Sequence, residues 1–125
     1  MSRNIIIIGA IFCALAVGIG AFGAHGLKSV LLENGRLETF ETGVKYHFYH
    51  GLGLLILGAL AQQIDKGWLK WAAVFMVAGI FIFSGSLYIL SITGITWLGA
   101  ITPIGGVGFI AAWIALACGV KKESN

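Results

Sequence analysis

Residues 5–24 read Ile5-Ile6-Ile7-Ile8-Gly9-Ala10-Ile11-Phe12-Cys13-Ala14-Leu15-Ala16-Val17-Gly18-Ile19-Gly20-Ala21-Phe22-Gly23-Ala24, a run without one charged side chain. A helix needs about 20 such residues to cross the hydrocarbon core of a bilayer. Three further apolar stretches are close to it in length, Val44–Gln62, Trp71–Ile92 and Pro103–Val120, the first of them carrying Lys45, His47 and His50 in its first two turns. Inside lipid only helices and closed barrels satisfy their own backbone hydrogen bonds. No ten-residue alternating pattern supports a barrel. The expected fold is therefore all-α: one domain over residues 1–125, an integral membrane four-helix up-down bundle.

Composition leads to the same class. Apolar residues make up 58% of the chain and charged residues 10%; soluble domains carry about 45–50% and about 25%. A protein this small has too much surface for its volume to hide that apolar content from water. The net charge of +3 is scattered, without the basic tracts of a nucleic-acid binder. Met1-Ser2-Arg3-Asn4 ahead of span one has the look of a signal peptide. The apolar run that follows exceeds the ~7–15 residues of a signal core, so the span is expected to be retained.

The connections carry their own signals. Leu37, Phe40, Val44 and Phe48 recur at helical spacing, which starts the second helix near Arg36, well ahead of its apolar span. Asn34-Gly35 reads as a turn, and Leu27–Glu33 as a short amphipathic interfacial helix between the first two spans. Trp68 and Trp71 are expected interface anchors. Thr93–Ile101 has no charge and should stay partly embedded, and Thr102-Pro103 reads as N-cap and first helical residue. Ala16, Gly20 and Ala24, and Gly108, Ala112, Ala115 and Gly119, lie at the spacing that lets helices approach closely in lipid. Cys13 and Cys118 sit in apolar segments at different depths, without CxxC or Cys/His spacing, so neither a disulfide nor a metal site is expected.

With four spans, Arg3, Lys66, Lys70, Lys121 and Lys122 share one side, and Lys28, Arg36 and Lys45 the other. The positive-inside rule then puts both termini in the cytoplasm. The polar residues of the spans gather on the opposite, outer side. His25 ends span one; Lys45, Tyr46, His47 and His50 start span two; Ser84, Tyr88 and Ser91 lie toward the end of span three; Thr102, Gly105 and Gly106 start span four. Ionisable groups in a membrane are costly and usually face the bundle interior. These eleven residues are therefore the candidate ligand-binding set, an outer polar cup suited to an anion or a lipid headgroup. A plainer reading stands beside it: Lys45 snorkels, the tyrosines form an aromatic belt, and the histidines bond backbone carbonyls.

Sharper chemistries fare worse. Bis-histidine haem ligation would rest on His25 at a glycine-flanked helix end. A metal at His47 and His50 would have no carboxylate within the spans, and a proton relay would find no titratable step in the inner halves. No catalytic residue, metal or cofactor is assigned. Gly18-x-Gly20-x-x-Gly23 copies a dinucleotide fingerprint in letters only, because no strand precedes it. Expected partners are membrane lipids, a partner membrane protein or further copies of the chain. A subunit of an oligomeric proton or small-solute transporter or channel is the alternative.

Three segments carry a likeness. They are Gly20-Ala21-Phe22-Gly23-Ala24-His25-Gly26-Leu27, Tyr46-His47-Phe48-Tyr49-His50-Gly51-Leu52, and Ser84-Gly85-Ser86-Leu87-Tyr88 with Thr102-Pro103-Ile104-Gly105-Gly106. Together, in order and over essentially the whole chain, they resemble the YgdD/YwdK-like family of small bacterial inner-membrane proteins. Gly51 stands where that family often has alanine. The resemblance implies four transmembrane helices in a bacterial cell membrane and implies no activity. The motif positions it carries over are His25, Tyr46, His50, Ser84, Tyr88, Thr102, Pro103, Gly105 and Gly106.

Overall fold

A computed structural model describes residues 1–123 and is helical almost throughout. The helices are α1 (Ser2–Ala24), α2 (Lys28–Glu33), α3 (Leu37–Ala59), α4 (Lys66–Gly79), α5 (Gly85–Thr93) and α6 (Thr102–Gly119). A π-helical turn, Ile80–Ser84, joins α4 to α5 without a break, and 3-10 turns occupy Ala61–Gln63 and Thr96–Ala100. Three helical stretches are long and apolar enough to cross a membrane: Ser2–Ala24, Lys66–Thr93 and Thr96–Gly119. The second predicted span, α3, equals α1 in length. It is less apolar, because Glu38, Glu41, Lys45 and His47 fall in its N-terminal half and His50 just past its middle.

Two seams hold the helices, and both are built on glycine. Along α1 and α3, a Cβ on Gly9 would lie 2.9 Å from Leu54 Cβ and 3.0 Å from the Gly51 carbonyl; one on Gly51 would meet Cys13 Sγ at 2.8 Å. Gly58 packs on Ile6, Gly20 on Val44, and Gly23 on the ring of Phe40. Partners on α1 rise in number as those on α3 fall, so the two helices run antiparallel. The second seam joins α6 to α4 and the π turn: Gly119 meets Trp68, Gly79 meets Phe109, and Gly105 meets the backbone of Phe83. Between the seams lies an apolar core of Ile5, Leu54, Leu57, Leu69, Ala72, Met76, Phe109, Ala112 and Ala115.

Both ends are tied by hydrogen bonds. At one end Ser2 Oγ donates to the Gly58 carbonyl at 2.9 Å. There also Asp65 N–H donates to Gly119, and Lys121 N–H to Gln63, both at 2.8 Å. At the other end α2 closes with Gly35 at φ 66°, its N–H bonded to Leu32 and that of Arg36 to Leu31. That pair of bonds is a Schellman motif, which needs a left-handed residue and so selects glycine. Leu31 is fully buried beneath α2, as an amphipathic helix requires. Helix α5 ends at Gly94, φ 75°, whose N–H takes the Leu90 carbonyl. The next two carbonyls, Ser91 and Ile92, each accept a 3.0 Å bond from the Asn34 side-chain amide. Asn34 thus caps a helix about sixty residues away, a role its sequence context does not announce.

Four expectations meet the structure here. The second helix starts at Leu37, beside the anticipated Arg36, and the interfacial helix forms at Lys28–Glu33. Thr102 is not an N-cap: Ile101 occupies that position, and the Thr102 hydroxyl turns inward instead. Cys13 and Cys118 are both free thiols.

The second seam supplies a test. A Cβ on Gly105 would fall onto the Phe83 backbone, with Phe83 Cα at 2.8 Å, whereas one on Gly18 meets nothing within 4 Å. Gly105→Ala should destabilise the protein by about 1–3 kcal/mol through overpacking. Gly18→Ala should be neutral or gain up to ~1 kcal/mol of helix propensity. Unfolding midpoints in detergent compare the two, and equal midpoints would refute the seam.

Candidate functional site

The helix α3 aims its polar residues at three different neighbours. A helix turns about 100° per residue, so side chains three apart diverge by about 60°. That divergence sends His47 toward α1 and α5, and His50 toward α6. The structure therefore distributes the expected cup between two clusters and a lateral groove.

The first cluster centres on His47. Its Nδ1 lies 2.8 Å from the Tyr88 hydroxyl. Its ring meets Phe12 edge-on at 5.7 Å, and Tyr88 in turn packs on Phe40. His47 Nε2 is buried without a hydrogen-bond partner among the described residues. Nearby, Ser84 is fully buried and donates to the Gly43 carbonyl at 2.7 Å, bonding the π turn to α3. The Ser91 hydroxyl is also buried and unpartnered.

The second cluster centres on His50. Its ring stacks on Phe109 at 3.5 Å and 8°. Its Nδ1 lies 2.8 Å from the Tyr46 carbonyl, which can only accept. Its Nε2 lies 3.0 Å from the indole nitrogen of Trp113, which can only donate. The two contacts fix His50 as the Nδ1–H tautomer and consume both nitrogens, leaving no lone pair for a metal. Tyr46 packs on Phe83 at 4.8 Å. A groove of about 460 Å³ runs between α3 and α6 here, lined by Tyr46, His50, Pro103, Gly106, Val107, Phe109, Ile110 and Trp113.

Between α5 and α6 the hydroxyls of Ser86 and Thr102 lie 2.6 Å apart. Ser86 Oγ reaches the Phe83 carbonyl at 2.9 Å, whereas Thr102 Oγ1 is 3.3 Å from that of Leu98. The shortest consistent chain has Thr102 donating to Ser86 and Ser86 to Phe83. It satisfies a carbonyl in the π turn, where the regular i→i−4 pattern is interrupted. Gly105 is buried as the contact point for Phe83.

Two candidates stand apart from both clusters. His25 is exposed beyond the end of α1. Lys45 is exposed and lines two adjoining grooves between α1 and α3. The groove of about 300 Å³ is lined by Ala16, Val17, Gly20, Ala21, Val44, Lys45, Phe48 and Tyr49. That of about 200 Å³ is lined by Gly20, Gly23, Ala24, Leu37, Phe40, Glu41, Val44 and Lys45. Residues outside the candidate set that shape these features are Trp113, Phe109, Glu41 and Asn34. Trp113 and Phe109 carry no signal except the i, i+4 spacing that puts both on one face of α6.

The His50 geometry predicts that Trp113→Phe, which keeps an aromatic ring but removes the N–H, leaves a buried acceptor unpaired. The cost should be about 1–3 kcal/mol, read as a lowered thermal midpoint in detergent. Nitrogen NMR should find the proton on Nδ1 of His50. An unchanged midpoint together with an Nε2–H tautomer would refute the arrangement.

The comparisons with known proteins agree on one family. The profile described as "Protein of unknown function (DUF423)" matches residues 19–106. The UPF0382 membrane protein YwdK of Bacillus subtilis is 52% identical over 118 residues, covering 94% of this chain and 95% of that protein. The UPF0382 membrane protein SSP2132 of Staphylococcus saprophyticus is 49% identical over 119 residues, 94% of this chain and 96% of its own. A Staphylococcus aureus relative, SAB0533, is 50% identical over 117 residues, 94% of each. No solved structure matches the chain.

Proposed function

The chain belongs to the DUF423 family of UPF0382 membrane proteins, and on that premise we propose that it is a non-enzymatic, multi-pass protein of the bacterial inner membrane that binds a phospholipid in the furrow between α1 and α3. The carrying observation is Lys45, one exposed cation at the junction of two apolar grooves. An amphiphile needs just this pairing, an apolar channel for a chain and a positive charge for a phosphate. Lysine suits the role because its ammonium is a compact point charge on a flexible stem.

In this reading α3 is the fourth span. Its 23 residues reach about 34 Å at 1.5 Å per residue, enough to cross. Its histidines point inward to partners, which lowers the cost of carrying them. The end-to-end bonds Ser2–Gly58, Asp65–Gly119 and Asn34–Ser91 support an up-down order of the four helices. The charge asymmetry, five Lys or Arg against three, favours cytoplasmic termini and so an outward-facing furrow.

Conduction by a single chain is the weaker reading. The buried polar residues His47, His50, Ser84, Ser86, Ser91 and Thr102 lie in the half nearer α2. The other half is closed by Leu54, Leu57, Leu69, Ala72, Met76, Ala112 and Ala115. A proton or polar solute entering from the α2 end would meet an apolar plug.

Reporter fusions in the Glu33–Arg36 turn and after Lys122 should report outside and inside respectively. The reverse pattern would place the furrow in the cytoplasmic leaflet. Phospholipid should co-purify in gentle detergent, and Lys45→Gln should reduce the retained amount several-fold, since about 1.4 kcal/mol is tenfold. Lys122→Gln should change nothing. Native mass spectrometry reads both, and wild-type protein free of lipid would end the proposal.

A further inference from the structure

The furrow carries a second charge. Glu41 lines the groove nearer α2 together with Lys45, one helical turn before it. The mouth of the furrow is therefore electrically balanced, with a carboxylate and an ammonium in fixed order along α3. A purely anionic headgroup would meet attraction at Lys45 and repulsion at Glu41.

From this order we infer that the furrow selects a glycerophospholipid whose headgroup ends in a primary ammonium, of the phosphoethanolamine type. The inference rests on the lipid-binding reading above and adds the headgroup class to it. Along such a lipid the groups run ammonium, phosphate, glycerol, acyl chain. Along the furrow, from the α2 end inward, they meet Glu41, then Lys45, then the apolar walls. Residues four apart on a helix are about 6 Å apart along its axis, the scale of a phosphate and an ammonium joined by a two-carbon link. Beside Lys45 the floor is made of Gly20 and Ala21 on α1, and below it of Ala16, walled by Phe48 on α3. From Gly20, level with Val44, down to Ala16 the furrow follows about 6 Å of α1 at 1.5 Å per residue, where the start of an acyl chain would lie.

Competition from within the chain is weak. Glu41 and Lys45 are both exposed, and an i, i+4 ion pair on a solvated helix face is a minor interaction. A headgroup offering a phosphate to Lys45 and an ammonium to Glu41 makes two ion pairs at once. A quaternary ammonium lacks N–H donors and would satisfy Glu41 less well. A phosphoglycerol headgroup would leave the carboxylate facing a second anion.

The test reconstitutes the whole protein in vesicles of equal phosphatidylethanolamine, phosphatidylcholine and phosphatidylglycerol, extracts it gently and measures bound lipid by native mass spectrometry. Phosphatidylethanolamine should be enriched over both others by roughly tenfold. Glu41→Gln should abolish its advantage over phosphatidylcholine and raise phosphatidylglycerol. Lys45→Gln should lower all three. Both side chains are exposed, so neither variant should alter the fold; an unchanged unfolding midpoint checks this. Lipid retained without headgroup preference, or a preference that survives Glu41→Gln, overturns the inference and leaves the lipid-binding reading standing. Retention of none of the three lipids overturns both.

Discussion

Lipid tails are as apolar as leucine, so apolar helices gain little by leaving lipid for one another. What remains is contact at close range, and close range requires that side chains be absent where backbones meet. Both seams meet this requirement in the same way. Gly9 lies against Leu54 and Gly51 against Cys13 on one; Gly105 lies against Phe83 and Gly79 against Phe109 on the other. Each polar feature described depends on these approaches. Ser84 reaches the Gly43 carbonyl and Trp113 reaches His50 because the helices bearing them stand at backbone distance.

That closeness decides what the histidines are for. In water a histidine is a switch or a ligand by default. Here His50 spends one nitrogen on a carbonyl, the other on an indole, and its face on Phe109. It is a cross-brace between α3 and α6, specific because each of its three partners accepts only one orientation of the ring. His47 is braced on one side by Tyr88. The serines repeat the pattern at smaller scale, tying the π turn to its neighbours through Gly43 and Thr102. The polar half of the protein reads as internal bonding that locks helix rotation, while the apolar half is held by packing and by the hydrogen bonds that tie its end.

Much of this was legible in the sequence, and the misses share a cause. Helical class, the early start of α3 and the interfacial helix followed from periodicity and turn residues, which are local. The division of the cup was not legible, because it depends on the rotation of α3, and 60° sends His47 and His50 to different helices. Thr102 looked like a cap because Pro103 follows it; its hydroxyl turned inward because Ser86, sixteen residues away, lay closer. The π turn at Ile80–Ser84 has no mark of its own in an apolar run. Asn34 announced a turn and did cap a helix, though one reached only through the tertiary fold. Of the small residues picked by spacing, Ala16 and Gly119 do lie buried in the seams, but Ala24 is exposed, and the seam glycines Gly9, Gly23, Gly79 and Gly105 were not among those the packing spacing picked. Spacing finds a small-residue face without fixing which way it turns.

Binding chemistry resides where side chains still lack partners. A group already holding all its partners must lose them before it can take a ligand, and a buried one loses them at full desolvation cost. That argues against His50, Ser84, Ser86 and Thr102 as ligand contacts. Lys45 and Glu41 differ in kind: they are charged, exposed and placed along a concave apolar channel. The buried polar groups of the bundle are neutral hydroxyls, rings and carbonyls, and they carry no full charge to set against either. Both stand at the surface, open to a counter-charge from outside the bundle. The polar interior thus explains how the protein holds its shape, and the furrow is where that shape has chemistry left to offer.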